Sequence, residues 1–176
     1  MSPHLEKVRL KAEQLTRDFS PEEWRCTADG KWCASRTFEH LLLTYTATTK
    51  GTLKAMKAGQ PLCRDVKFRD RVAKFYVVQL GIFPKGEQAP RHTVPSAGLQ
   101  GDPLRPFNDA LVAMDATLTD AERRFGHKTR ILEHPMLGPL TAEEWRRFHY
   151  VHAHHHFRRL ASHRPARQSL PATVSS

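Results

Sequence analysis

The chain has 176 residues, of which 39% are hydrophobic and 26% charged, enough for one globular domain with its own core and too balanced for a disordered or membrane-embedded chain. Its net charge of +10, with eleven further histidines, raises nucleic acid, anionic membrane and acidic ligands as partners. The lysines and arginines are spread out, without a dense run or an RNA-binding signature, so the charge reads as a solvated basic surface. At the N-terminus, Leu5, Val8, Ala12 and Leu15 form one stripe of a leading helix over residues 4–18. Ser20-Pro21-Glu22-Glu23 opens a second, short helix, and Thr27-Ala28-Asp29-Gly30 turns the chain.

The next helix is expected over 36–50, with Ser35 as its cap and Gly51 closing it. Phe38, Leu41, Leu42 and Tyr45 make its apolar stripe. Thr37, His40, Thr44 and Thr48 make a second stripe, suited to a polar cavity inside a bundle or to solvent. Residues 65–80 read as helix rather than strand, although the segment FYVVQL keeps a strand open. From Gly81 to Arg105 the chain is loop-like, and a loop of this length is often functional. Phe107, Leu111, Met114 and Leu118 predict a helix over 107–124, closed by Gly126. Residues 127–140 form a connection with a candidate buried pair, Ile131-Leu132. Thr141 and Glu144 read as a capping box that starts a last helix running to Ser162.

The expected fold is therefore all-α: a four-helix bundle of the helices near 36–50, 65–80, 107–125 and 141–162, with an extra N-terminal helical segment. Residues 1–162 form a single domain, and 163–176 read as a disordered tail. Cys26, Cys33 and Cys63 are an odd set without CxxC spacing, which argues against a disulfide framework or a thiolate zinc site and fits a reducing compartment. No segment resembles a signal peptide and no apolar run is long enough to span a bilayer. The cytoplasm is the expected location, with no membrane partner.

Five histidines fall within residues 145–160. At ~100° per residue, His149, His152 and His156 lie within about 60° of one another on the last helix, while His154 points elsewhere and His155 sits at the edge. Imidazoles at i and i+4 can reach one metal ion. The alternative is a polar, metal-sticky helix end. Bundles build metal sites from facing helices, which makes His40 a candidate partner.

Glu39-His40-Leu41, Phe83-Pro84-Lys85-Gly86, His134-Pro135 with Gly138-Pro139-Leu140-Thr141, Glu144-Trp145 and His152-x-x-His155-His156 together resemble the DinB/YfiT-like superfamily, over roughly residues 24–160. More narrowly, they are similar to a bacterial branch whose last helix follows HPxxGxLTxEEWxxxxxxHxxHHxRQ. The resemblance implies an up-down-down-up four-helix bundle and a divalent metal, zinc or nickel. It also implies His40, His152 and His156 as ligands and assigns His155 to the non-ligating position of the HH pair. Arg158-Arg159 stand where that branch often has Arg-Gln, which puts in doubt any supporting role of the Gln.

Three neutral imidazoles would leave coordination positions open, as in catalytic zinc-type sites. A bound water would have its pKa lowered towards ~7, and a bound thiol would ionise likewise. Relatives in the superfamily include transferases that use low-molecular-weight thiols, so a hydrolase or a thiol S-transferase acting on a small molecule is the leading expectation. A non-catalytic metal-binding or interaction bundle is the alternative, and a weak nucleic-acid binder the third. A homodimer stays open. His134 is expected to make a structural hydrogen bond, and His149 is either a substitute ligand or a pocket wall.

Overall fold

The computed structural model describes residues 1–25, 32–83 and 89–162. Among the described residues the structure is all-α apart from one small hairpin. Helices α1 (Pro3–Thr16), α2 (Pro21–Arg25), α3 (Ala34–Ala58) and α4 (Phe68–Lys74) come first, and α4 runs on as a π-turn over Phe75–Gln79. A 3₁₀ turn (Arg91–Thr93), α5 (Leu104–Phe125), strands β1 (Arg130–His134) and β2 (Gly138–Thr141), and α6 (Ala142–Ser162) follow.

Four long helices make the bundle. α3 lies along α5, α1 along α6, and further contacts of α1 with α5 and of α6 with α3 and α5 close the core. Phe38, Phe107 and Phe157 meet where α3, α5 and α6 converge, with ring centroids 4.9 Å apart for Phe38–Phe107 and 5.8 Å for Phe38–Phe157. Burial of each such side chain contributes about 1.5–3 kcal/mol.

The fourth bundle helix is α1, not the 65–80 segment. Leu5, Val8 and Ala12 are fully buried, so the N-terminal stripe is a core face. In the 65–80 segment the apolar residues do not share one inward face: Phe68 is 81% exposed and Phe75 and Tyr76 lie open, while Val77 and Val78 alone are buried. FYVVQL is neither strand nor regular helix. Its Leu80 N–H donates to the Phe75 carbonyl, the five-residue span of a π-turn.

The strand lies elsewhere. The 127–140 connection folds as an antiparallel hairpin that pairs Leu132 with Leu140 and His134 with Gly138, and it buries Ile131 completely. Its Leu132 side chain lies against Gly51, where a Cβ would come within 2.6 Å of it. Gly51 thus sits inside α3, which continues to a left-handed cap at Gly59. The α3 N-cap is Cys33, and Ser35 is buried in the first turn.

The hairpin delivers the chain into α6. There the Thr141 N–H donates to Glu144 and the Glu144 N–H donates to Thr141 Oγ1, at 2.9 and 3.2 Å, the reciprocal box that the sequence predicts. The same device starts α2 through Ser20 and Glu23. Among the described residues no helix is long and apolar enough to cross a membrane, and Cys33 and Cys63 are free thiols. Cys26, the 27–30 turn, Pro84-Lys85-Gly86 and the 163–176 tail lie outside the described residues.

Candidate metal centre

His40 projects from α3, and His152 and His156 project from α6 at the i, i+4 spacing that puts two side chains on one face. The structure brings these three together. One ring nitrogen from each lies within 4.8 Å of the other two. His152 Nε2 is 3.3 Å from His40 Nε2 and 3.1 Å from His156 Nε2. His40 is buried, the His152 ring lies inside the site with its Nδ1 buried, and His156 keeps partial exposure.

The protonation pattern follows from the surroundings. His40 Nδ1 is 2.7 Å from the Thr93 carbonyl oxygen. A carbonyl only accepts, so Nδ1 carries the proton and the neutral ring presents a bare lone pair at Nε2. Burial lowers the His40 pKa, partly opposed by the Thr93 hydrogen bond. Burial also holds His152 and His156 well below the ordinary imidazole value; after burial, another ring of the trio weighs most, His156 on His152 and His40 on His156. Three neutral imidazoles are the ligand form.

The donor set fits a cation. His40 Nε2 has no proton to give, so protein hydrogen bonds alone satisfy three converging Nε2 atoms only in part. His152 Nδ1 is also buried without a partner among the described residues. One cation accepts all three lone pairs at once, and three imidazoles suit several first-row divalent metals.

The rings stand in an aromatic frame. Trp32 is 5.0 Å from His40 and stacks 6.3 Å from His156, and Phe148 stacks on His152 at 5.3 Å. Phe83 contacts both His152 and His155. His155 packs on Phe83 at 4.8 Å and meets His156 edge-on at 5.4 Å, and His154 turns to Tyr150.

The other candidates separate cleanly. His149, one turn before His152, is 1% exposed and pairs its Nε2 with Thr48 Oγ1 at 2.9 Å. It stacks on Trp145 and belongs to the wall between α3 and α6. Burial, with a smaller push from His134, lowers its pKa to about 3. His134 Nδ1 accepts the N–H groups of Met136 and Leu137 and so closes the hairpin turn, the structural role expected of it. Burial takes its pKa to about 4. Of the threonine stripe, Thr48 serves His149, and Thr44 bonds back to the Leu41 carbonyl of its own helix.

Sequence reasoning missed Thr93, Trp32, Phe83 and Phe148 as neighbours of the trio. The one signal was the long 81–105 connection, which supplies both Phe83 and Thr93. Glu39 points away from His40, as its 100° offset requires, and its carboxylate binds that connection at Ser96 and Gly98.

Fold and site together define an all-α helical bundle with an interior three-histidine cluster able to hold a metal ion. The family model described as a protein of unknown function, DUF1569, matches residues 3–163, nearly the whole chain, and the chain belongs to that family. Neither curated proteins nor solved structures give a match.

Proposed function

We propose that this chain is a divalent-metal-dependent enzyme of the DinB/YfiT-like type, a hydrolase or a thiol S-transferase acting on a small molecule. The observation that carries the reading is the convergence of three neutral Nε2 atoms, one of them fixed in tautomer by the Thr93 carbonyl. In this reading His40, His152 and His156 hold zinc or nickel, and the sequence resemblance selects the same three positions. When bound, the ion supplies Lewis acidity that ionises a coordinated water or low-molecular-weight thiol near neutral pH. Three protein ligands leave room for that fourth partner.

The chain's own residues set the rest. Thr93 orients His40, as carbonyl and carboxylate partners commonly orient metal-bound histidines. Trp32, Phe83 and Phe148 surround the rings with apolar surface, which strengthens electrostatic interactions inside the site. The partial exposure of His156 supports an approach of substrate from that side of the site.

The test is a titration of cobalt-loaded protein with small thiols, followed by absorbance, beside assays of ester and amide hydrolysis. A thiolate charge-transfer band, or hydrolysis that disappears in His152→Ala, supports the reading. If loaded protein neither binds thiol nor hydrolyses any substrate in a His152-dependent way, the bundle is a metal-binding protein without this chemistry.

A further inference from the structure

We infer that Glu39 is a positioning residue for the three-histidine centre, acting through a backbone strap over residues 91–99 that it clasps onto α3. The inference rests on the metal reading above, and its test separates the two. The strap lies across the first turns of α3. Its near end gives the Thr93 carbonyl to His40 Nδ1 at 2.7 Å. Its far end is held by Glu39, whose Oε1 accepts the N–H and the hydroxyl of Ser96 at 3.1 and 3.0 Å and whose Oε2 accepts the Gly98 N–H at 2.7 Å.

Two further contacts tie the same strap down. The Arg36 guanidinium donates to the Ser96 carbonyl at 3.0 Å, and the Leu99 N–H donates to the Ser35 carbonyl at 3.4 Å. Gly98 has φ of +84°, and a Cβ there would lie 2.4 Å from Ser35 Oγ, so the strap approaches the helix as closely as a glycine allows. Ser35, Arg36 and Glu39 thus anchor the strap along the first turns of α3, and His40, about 100° round the helix from Glu39, donates to its carbonyl.

The consequence concerns one proton. Without the Thr93 carbonyl in place, a neutral His40 is free to carry its proton on either nitrogen, and the Nε2–H form cannot ligate through Nε2. Glu39 holds the strap, the strap holds the tautomer, and the tautomer leaves the Nε2 lone pair free.

The full chain is compared with Glu39→Gln, Glu39→Ala and, as a control on the centre itself, His152→Ala. Nitrogen-resolved NMR of the metal-free proteins reads the His40 tautomer, and competition with a chromophoric chelator reads zinc affinity. Thermal unfolding of the metal-free proteins checks that the variants fold. Wild type should show a single Nδ1–H tautomer. Glu39→Ala should show mixed tautomers and zinc binding weaker by about 10- to 100-fold, the range for lost outer partners of metal ligands. Glu39→Gln keeps one acceptor oxygen and should fall between.

If both variants keep a pure Nδ1–H tautomer and wild-type zinc affinity, the positioning role is wrong while the centre stands. If wild type binds no zinc, or His152→Ala binds it equally, the metal reading fails. The tautomer spectra then decide alone whether Glu39 fixes His40.

Discussion

His134 and His149 illustrate how far a residue's surroundings set its chemistry. Both are held neutral by burial, with pKa values near 4 and 3 against an ordinary 6.5. A folded pKa below the unfolded one means that the unfolded chain takes up protons first as pH falls. Stability is therefore complete above about 6.5 and declines as pH drops through the window towards 4 for His134 and 3 for His149. At pH 5 each should cost about 1–2 kcal/mol. Urea unfolding across pH 4.5–7.5 measures this, and His149→Phe should flatten part of the slope; a slope unchanged in that variant would contradict the assignment. Thr48→Val removes the partner of a buried ring nitrogen and should cost about 1–3 kcal/mol.

At the level of elements, the hairpin and the start of α6 decide where His152 and His156 stand. Thr141→Ala breaks the capping box and should destabilise the protein by about 1 kcal/mol, measured by chemical unfolding. Gly138→Ala should cost more. Its φ is +68°, and a Cβ would sit 2.5 Å from the carboxyl carbon of Asp70, which is 2% exposed and bonded to Arg64 and to the Lys67 N–H. An unchanged midpoint in that variant would mean the hairpin does not pack on the 64–70 segment. These two positions also show what the sequence reveals. The box at Thr141 and Glu144 was legible because its partners are three residues apart. Gly138 reads only as part of a helix lead-in, because its constraint comes from Asp70, 68 positions away. Gly51 misleads in the same way: it looks like a helix end, and its cause is Leu132. His152 and His156 are legible as members of a helical stripe that also takes in His149, and it is the family resemblance, not the spacing, that selects these two together with His40. The Thr93 carbonyl is not legible, since a backbone atom leaves no mark in side-chain spacing.

Across the whole molecule, long-range pairs hold the helices in register. Arg146 of α6 is buried and donates to Asp115, Thr119 and Glu122 of α5, and Asp115 also accepts the Ser2 N–H at the start of α1. Asp115→Ala should cost about 3 kcal/mol or more, because it leaves a buried guanidinium short of a partner. Phe68 on α4 and Phe75 on the π-turn that follows lie open, so replacing either by Ser should shift stability by no more than about 0.5 kcal/mol. The N-terminal helix is legible as an amphipathic stripe, narrow beside the aromatics of 65–80, and it is burial, which periodicity does not report, that makes it the fourth bundle helix. The three-histidine cluster joins α3 to α6, so an ion bound there would stabilise the bundle. The most direct measurement is the metal content of protein purified without a histidine tag, by elemental analysis, beside His152→Ala. About one zinc, nickel or similar ion per wild-type chain, with loss in the variant, is the expected result. Equal metal content in the two proteins would contradict the centre.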